Sequence, residues 1–353
     1  MVARPILLAL PLDHETLELV GAAAEIARAL GAPIVVVHAI PRRRLDGDHV
    51  DTRIAEARSE LEIYLAIIRD AGLVLQDVTV AVGHPAEVVI DTAPRIDAQL
   101  IVIGGGRPAT VRRWVFGSVA EAVVRQSSVP VWVMRGTSPI GRRLLCPVDL
   151  TPQSEVGLEA ALRMARLFQM SLSLIAVVSD DSSNARLAKD EPTARKQIEA
   201  LLAGYDLEGL NVSLTVTSGD PAQRIVDAAD DAGLLVIASR GYDPLVRAWL
   251  GPVSARVLGH SICSALMIRH LEAGHEGRVR AITRLADLQS RAQQLVADGR
   301  GQAAVTLLAR AAEQASTNAA VQELYARALE QAGHAVEATS RRELAALIRE
   351  QLG

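Results

Sequence analysis

Aromatic residues are almost missing from this chain: three Trp, four Tyr and two Phe in 353 residues. Its interior must therefore be built from Ala, Val, Leu and Ile, the bulk of an apolar half. Cysteine is scarcer still. Cys146 and Cys263 each stand alone in an apolar, strand-like run, which points to buried reduced thiols rather than a disulfide framework. Lysine is confined to Lys189 and Lys196, and the other basic side chains, histidine aside, are arginine. Neither lysine adjoins a glycine-rich turn. A P-loop, whose lysine must follow its glycines to reach the β- and γ-phosphates, is thereby disfavoured, and so is Schiff-base chemistry. No apolar run approaches the ~18 residues of a membrane-spanning helix. The opening "MVARPILLALPLD" reaches Asp13 too early for a secretory signal, so a cytoplasmic protein is expected. A formal charge of −4 gives no electrostatic reason to expect nucleic acid or an anionic membrane as partner.

What the chain does have is repetition. "LIVIGGGRPATVRRWVFGSVAEAV" from Leu100 returns as "LLVIASRGYDPLVRAWLGPVSARV" from Leu234. Each copy reads as a buried strand, a flexible loop and a glycine opening a helix, an arrangement that turns backbone N–H groups toward an anion. The likeness extends outward. "DVTVAVGHPAEVVIDTA" matches "NVSLTVTSGDPAQRIVDAA", setting Gly83 and Pro85 opposite Gly219 and Pro221, and "VWVMR" matches "ALMIR". Asp13 pairs with Asp149 at the same separation as Gly83 with Gly219. Within each copy, short apolar strands such as Pro5–Leu12, Ile34–Ile40 and Val129–Met134 alternate with amphipathic helices. That alternation predicts parallel strands joined by right-handed crossovers. Beyond Val279 no strand-like run remains, and Gly299/Gly333 and Ala304/Ala338 recur at 34 residues, a helix–turn–helix period.

These features together resemble the universal stress protein family. The motifs are an Asp at the end of strand one, a Gly-x-Pro turn before helix three, "DAQLIVIG" before the glycine loop, and Gly117-Ser118 opening helix four. The resemblance implies an α/β fold: two Rossmann-like five-stranded parallel-sheet domains in tandem, at residues 1–137 and 140–270. An all-α tail at 277–353 resembles tetratricopeptide hairpins. It also implies side-by-side pairing of the two repeats, with a homodimer of whole chains left open. Nucleotide-binding members carry Gly-x2-Gly-x9-Gly-Ser/Thr in the loop. Repeat one offers Gly104, Arg107 in place of the second glycine, then Gly117, Ser118 and Val119. Asp13 and the backbone of Ala39 would flank the base and ribose. Repeat two keeps Gly241 and Gly251 but has Ala238 and Pro252, and its Asp149 and Val177 would be the counterparts of Asp13 and Ala39. Pro252 removes an N–H and a hydroxyl, so repeat one is the stronger site.

Two classes of function follow. One is a stress-response module that binds ATP or another adenine nucleotide in repeat one, with Mg2+ accompanying the phosphates, and meets a protein partner through its helical tail. The other is a nucleotide-independent scaffold whose loops have degenerated. Asp13 also suits a helix cap. His14, His38 and His84 show no metal-ligand spacing, no catalytic residue is assigned, and only weak ATP hydrolysis is left open as an activity.

Overall fold

Strands and helices follow one another, mostly in alternation, through the described residues up to Arg269. The computed structural model describes residues 3–13, 15–41, 50–106, 108–110, 113–114, 117–179, 187–239, 250–269, 291–314 and 319–352. Repeat one runs β1 (Ile6–Ala9), α1 (Thr16–Leu30), β2 (Ile34–Ile40), α2 (Val50–Asp70), β3 (Leu75–Val82), α3 (Pro85–Arg95) and β4 (Leu100–Gly104). A small antiparallel pair follows, β5 (Pro108–Thr110) and β6 (Arg113–Trp114), then α4 (Ser118–Gln126) and β7 (Val131–Met134). Repeat two runs β8 (Leu144–Pro147), α5 (Pro152–Leu167), β9 (Leu172–Val178), α6 (Glu191–Leu202) and β10 (Val212–Ser218). It ends with α7 (Pro221–Ala229), β11 (Leu234–Ser239), α8 (Pro252–His260) and β12 (Ser264–Arg269).

The strands form one ten-stranded sheet in the order β10-β9-β8-β11-β12-β7-β4-β1-β2-β3. Within each repeat all pairs of this sheet are parallel, as buried strands joined by helical crossovers should be. The repeats meet through an antiparallel β7–β12 pair. Alternate side chains feed two cores. Ile6, Leu8 and Trp132 face α1, α2, α5 and α6. Leu7, Val131 and Val133 face α3, α4, α7 and α8. Both cores run through both repeats, so the α/β part is one continuous body.

Local chemistry sets the element ends. The first strand stops at Ala9, short of the Leu12 that the apolar run suggests, because Pro11 cannot donate to a ladder. Gly31, in the left-handed conformation at φ 59°, closes α1. The connection between repeats is packed in place: a Cβ on Gly233 would lie 2.8 Å from the Pro139 carbonyl.

The described residues from 291 onward form a second compact unit. Its helices Gly301–Gln314, Ala319–Gln331 and Ala335–Leu352 enclose a small core including Ala304, Leu308, Tyr325, Leu329 and Ala338. Gly299 and Gly333 both take positive φ, 73° and 88°, and Ala304 and Ala338 are both buried. The 34-residue period therefore marks equivalent turns and contacts. Gly301 is where two of these helices touch, since a Cβ there would lie 2.6 Å from that of Gln331. Among the described residues no helix is long and apolar enough to cross a membrane.

Candidate functional site

The carboxyl ends of β1, β2 and β4 lie side by side in repeat one, where doubly wound sheets gather ligands. Beyond β4 the chain turns on three glycines with separate duties. Gly105 passes hard against β7: its N–H donates to the Met134 carbonyl at 2.7 Å. A Cβ there would lie 2.7 Å from Arg135 Cγ. Gly106 supplies the left-handed step, φ 87°, in place of the glycine missing at position 107. Gly117, eleven residues on, returns to this turn. Its N–H points to the Gly105 carbonyl at 3.4 Å, and a Cβ on it would lie 3.6 Å from Gly106 Cα. Gly117 is the N-cap of α4 and supplies no side-chain cap, so the N–H groups of the first turn have no intrahelical acceptor. Ser118 is exposed and Val119 half-buried at that turn.

Gly104 leaves room for a β-carbon. A Cβ on it would meet only Leu19 Cδ2 at 3.9 Å and Glu15 Oε2 at 3.7 Å. In repeat two the pair is exchanged: Ala238 takes the place of Gly104 in β11, and Gly157 on the facing helix makes room, its notional Cβ 3.3 Å from that of Ala238. The first glycine lost from repeat two is thus regained on α5. Glu15 and Glu18 also line a cavity of about 40 Å³ with Gly104, Leu19, Met134 and Gly136, room for about one or two waters.

Asp13 is exposed, and its carboxylate accepts the Glu15 N–H at 3.0 Å while its own N–H donates to Thr16 Oγ1 at 2.8 Å. Asp149 makes a similar turn, accepting from the Thr151 N–H at 3.0 Å and Thr151 Oγ1 at 2.5 Å. The two are nevertheless not equivalent, which corrects the pairing of Asp13 with Asp149. Ile6 sits beside Leu100 as Leu144 sits beside Leu234, and the strained leucines Leu12 (φ 55°) and Leu150 (φ 62°) keep that same spacing. By this register Asp13 matches Thr151, the N-cap of α5, and Asp149 matches Pro11. Two residues past the first strand, repeat two carries a carboxylate where repeat one carries Pro11. Ala39 and Val177 do correspond, both half-buried near the ends of β2 and β9. His38 Nδ1 lies 2.8 Å from the Leu10 carbonyl. Gly251 opens α8 as Gly117 opens α4. Arg107, Gly241 and His14 lie outside the described residues.

The family model for the universal stress protein family matches residues 3–135 and again 141–269. The chain belongs to the universal stress protein family. A universal stress protein of Mycolicibacterium smegmatis is 24% identical over 269 residues, covering 70% of this chain and 90% of that protein. The crystal structure of a universal stress protein from Archaeoglobus fulgidus superposes with a TM-score of 0.61 at 21% identity, over 76% of this chain and 99% of that one. The tandem α/β fold of the family is therefore in place.

One residue at the site is not singled out by sequence reasoning. Arg135 follows β7, is only 4% exposed, and reaches into repeat two. Its guanidinium donates to the carbonyls of Ser261 and Leu258 at 2.6 and 2.7 Å, the end of α8. Its N–H donates to Ser264 Oγ at 3.0 Å. Burial pushes its pKa down to about 10, against the opposing pull of Cys263; it remains a cation at neutral pH. The signal in the sequence was the Arg closing both "VWVMR" and "ALMIR".

Proposed function

We propose that this chain is a stress-response binding module that takes an adenine nucleotide at the first repeat and meets a protein partner through its helical unit. The observation that carries the reading is the convergence of Gly105 and Gly106 with Gly117 and Ser118. Two backbone segments eleven residues apart join at a helix start, where N–H groups and the positive end of the helix dipole favour phosphate. The nucleotide would lie along the carboxyl edge of the sheet, its base toward Ala39, its phosphates against Gly106 and the first turn of α4. Glu15 and Glu18 beside Gly104 set a condition on the phosphates: ATP should bind with Mg2+ held by its own oxygens, which offsets the charge. No step of catalysis is assigned to any residue.

Titration calorimetry of the full chain with ATP and with AMP, with and without Mg2+, tests this. Binding in the wild type, lost in Gly117→Val, is the expected result. A wild type that neither binds nor shifts its melting temperature in millimolar nucleotide would overturn it. Those same carboxylates, with Pro252 opening α8 in repeat two, favour the second reading, a nucleotide-independent scaffold. For that reading, loss of the tail residues 277–353 should abolish assembly or partner capture while leaving the α/β body folded.

A further inference from the structure

We propose that Arg135 is a positioning residue that seats the glycine loop of repeat one on helix α8 of repeat two, so that the first site is complete only across the repeat boundary. The inference rests on the nucleotide reading of that loop but uses different observations. The aliphatic stem of Arg135 is the wall against which Gly105 is pressed; no methyl group fits between Gly105 and Arg135 Cγ, 2.7 Å from where a Cβ would stand. The head of the same side chain is held 2.6 and 2.7 Å from two carbonyls at the end of α8. Those carbonyls carry the negative end of a helix dipole and lack intrahelical donors, so a buried guanidinium is the group suited to satisfy them. The Arg135 backbone is fixed as well, through Ser264 Oγ. A second contact runs the same way: the backbone of β6, within the insertion between Gly106 and Gly117, lies beside α8, with Cα atoms within 8 Å.

The path is short and continuous. It runs from the Gly105 turn through Arg135 to the last turn of α8, and along that one helix to Gly251, the loop end of repeat two. A shift of Gly105 must move Arg135 or break its bonds to α8. Side chains in such a chain of contacts modulate binding at a distance without touching the ligand. Arg135 lies under the loop, not at the phosphates, and is not a ligand contact.

The experiment uses the full chain with Arg135→Met, which keeps a long apolar stem and removes the guanidinium, and Arg135→Lys, which keeps the charge but cannot span both carbonyls. Two measurements are made. Without nucleotide, amide hydrogen exchange should rise in Arg135→Met at residues 104–106 and in the last turn of α8, with α1 protected as before. With ATP and Mg2+, affinity should fall by about three- to thirtyfold, partly restored in Arg135→Lys. If exchange at residues 104–106 stays at wild-type level while only the urea midpoint drops, Arg135 is structural and the inference is overturned. Wild-type protein that binds no ATP or AMP sinks the nucleotide reading instead, and the exchange comparison still decides this one. Should Arg135→Met fail to fold, Arg135→Lys carries both measurements.

Discussion

At the scale of single residues, the duplication supplies its own controls. Gly31 and Gln169 occupy the same place after α1 and α5, both left-handed, at φ 59° and 53°. A β-carbon in that conformation costs about 1 kcal/mol. Gln169→Gly should therefore raise stability by about 0.5 kcal/mol, since the exposed Gln169–Arg166 bond it gives up is worth little. Gly31→Gln should cost about 1 kcal/mol. Urea midpoints at constant slope would show both, and a less stable Gln169→Gly would contradict the argument. The thiols make a second case. Burial pushes Cys146 up to about 12 from an ordinary value near 9, and Cys263 up to about 11 despite the nearby Arg135 charge. Native protein keeps these protons after the unfolded chain has lost them. Their contribution is whole below pH 9 and declines as pH rises toward 11 and 12, at about 1.4 kcal/mol per pH unit for each thiol. Arg135 works in the opposite sense, but only above about pH 10. Cys146→Ala should thus flatten the fall in stability between pH 9 and 10. An unchanged slope there would mean the Cys146 proton is not retained.

At the scale of elements, the strand–helix contact beneath the loop explains why the glycines cannot be read alike. Gly105→Ala forces a methyl to 2.7 Å from Arg135 Cγ and 2.8 Å from the Met134 carbonyl, and overpacking of that kind costs about 1–3 kcal/mol. Gly104→Ala meets nothing nearer than 3.7 Å and should change stability by less than about 0.5 kcal/mol. In repeat two, Gly157→Leu should be destabilising alone and should be rescued by Ala238→Gly, which recreates the Leu19–Gly104 pair. A double-mutant cycle with no coupling would refute the exchange. The succession of strands and helices along a repeat, helix starts at Pro85 and Pro221, and the loop glycines were all legible, because apolar runs, proline and glycine act locally. The β5–β6 pair was not: its strands have three and two residues, too few for any period to register. The true partner of Asp13 escaped too. A spacing that changes by two residues between β1 and β3 is invisible while one Asp is matched to another, and only pairing with β4 and β11 reveals it.

At the scale of the whole molecule, the central fact is an internal two-fold axis through the β7–β12 pair. Val131 lies opposite Met267 and Val133 opposite Ala265, while Trp132 faces Leu266 at the axis. An isologous contact between two chains would put the same residue on both sides of its axis; fusion into one chain frees that restraint, and the position has diverged. Trp132 is fully buried and meets the edge of Phe168 in repeat two, centroids 5.7 Å apart at 85°. The corresponding residues, Leu266 and Leu30, form no aromatic pair. Repetition in the sequence announced two domains, and the family resemblance implied their pairing, yet which strands would meet and where the symmetry would break depended on side chains far apart in the chain. Trp132 Nε1 has no hydrogen-bond partner among the described residues, so its value lies in volume and ring contact alone. Trp132→Phe keeps an aromatic ring for Phe168 and removes a buried donor that costs about 1–3 kcal/mol to leave unmet, which offsets part of the lost volume; a net change within about 1 kcal/mol is expected. Trp132→Ala loses ring and volume together and should cost about 3–5 kcal/mol. Urea unfolding of the two variants, followed by far-UV circular dichroism, separates these outcomes. Equal penalties for Phe and Ala would mean that a ring retained against Phe168 contributes nothing, and would refute the packing argument.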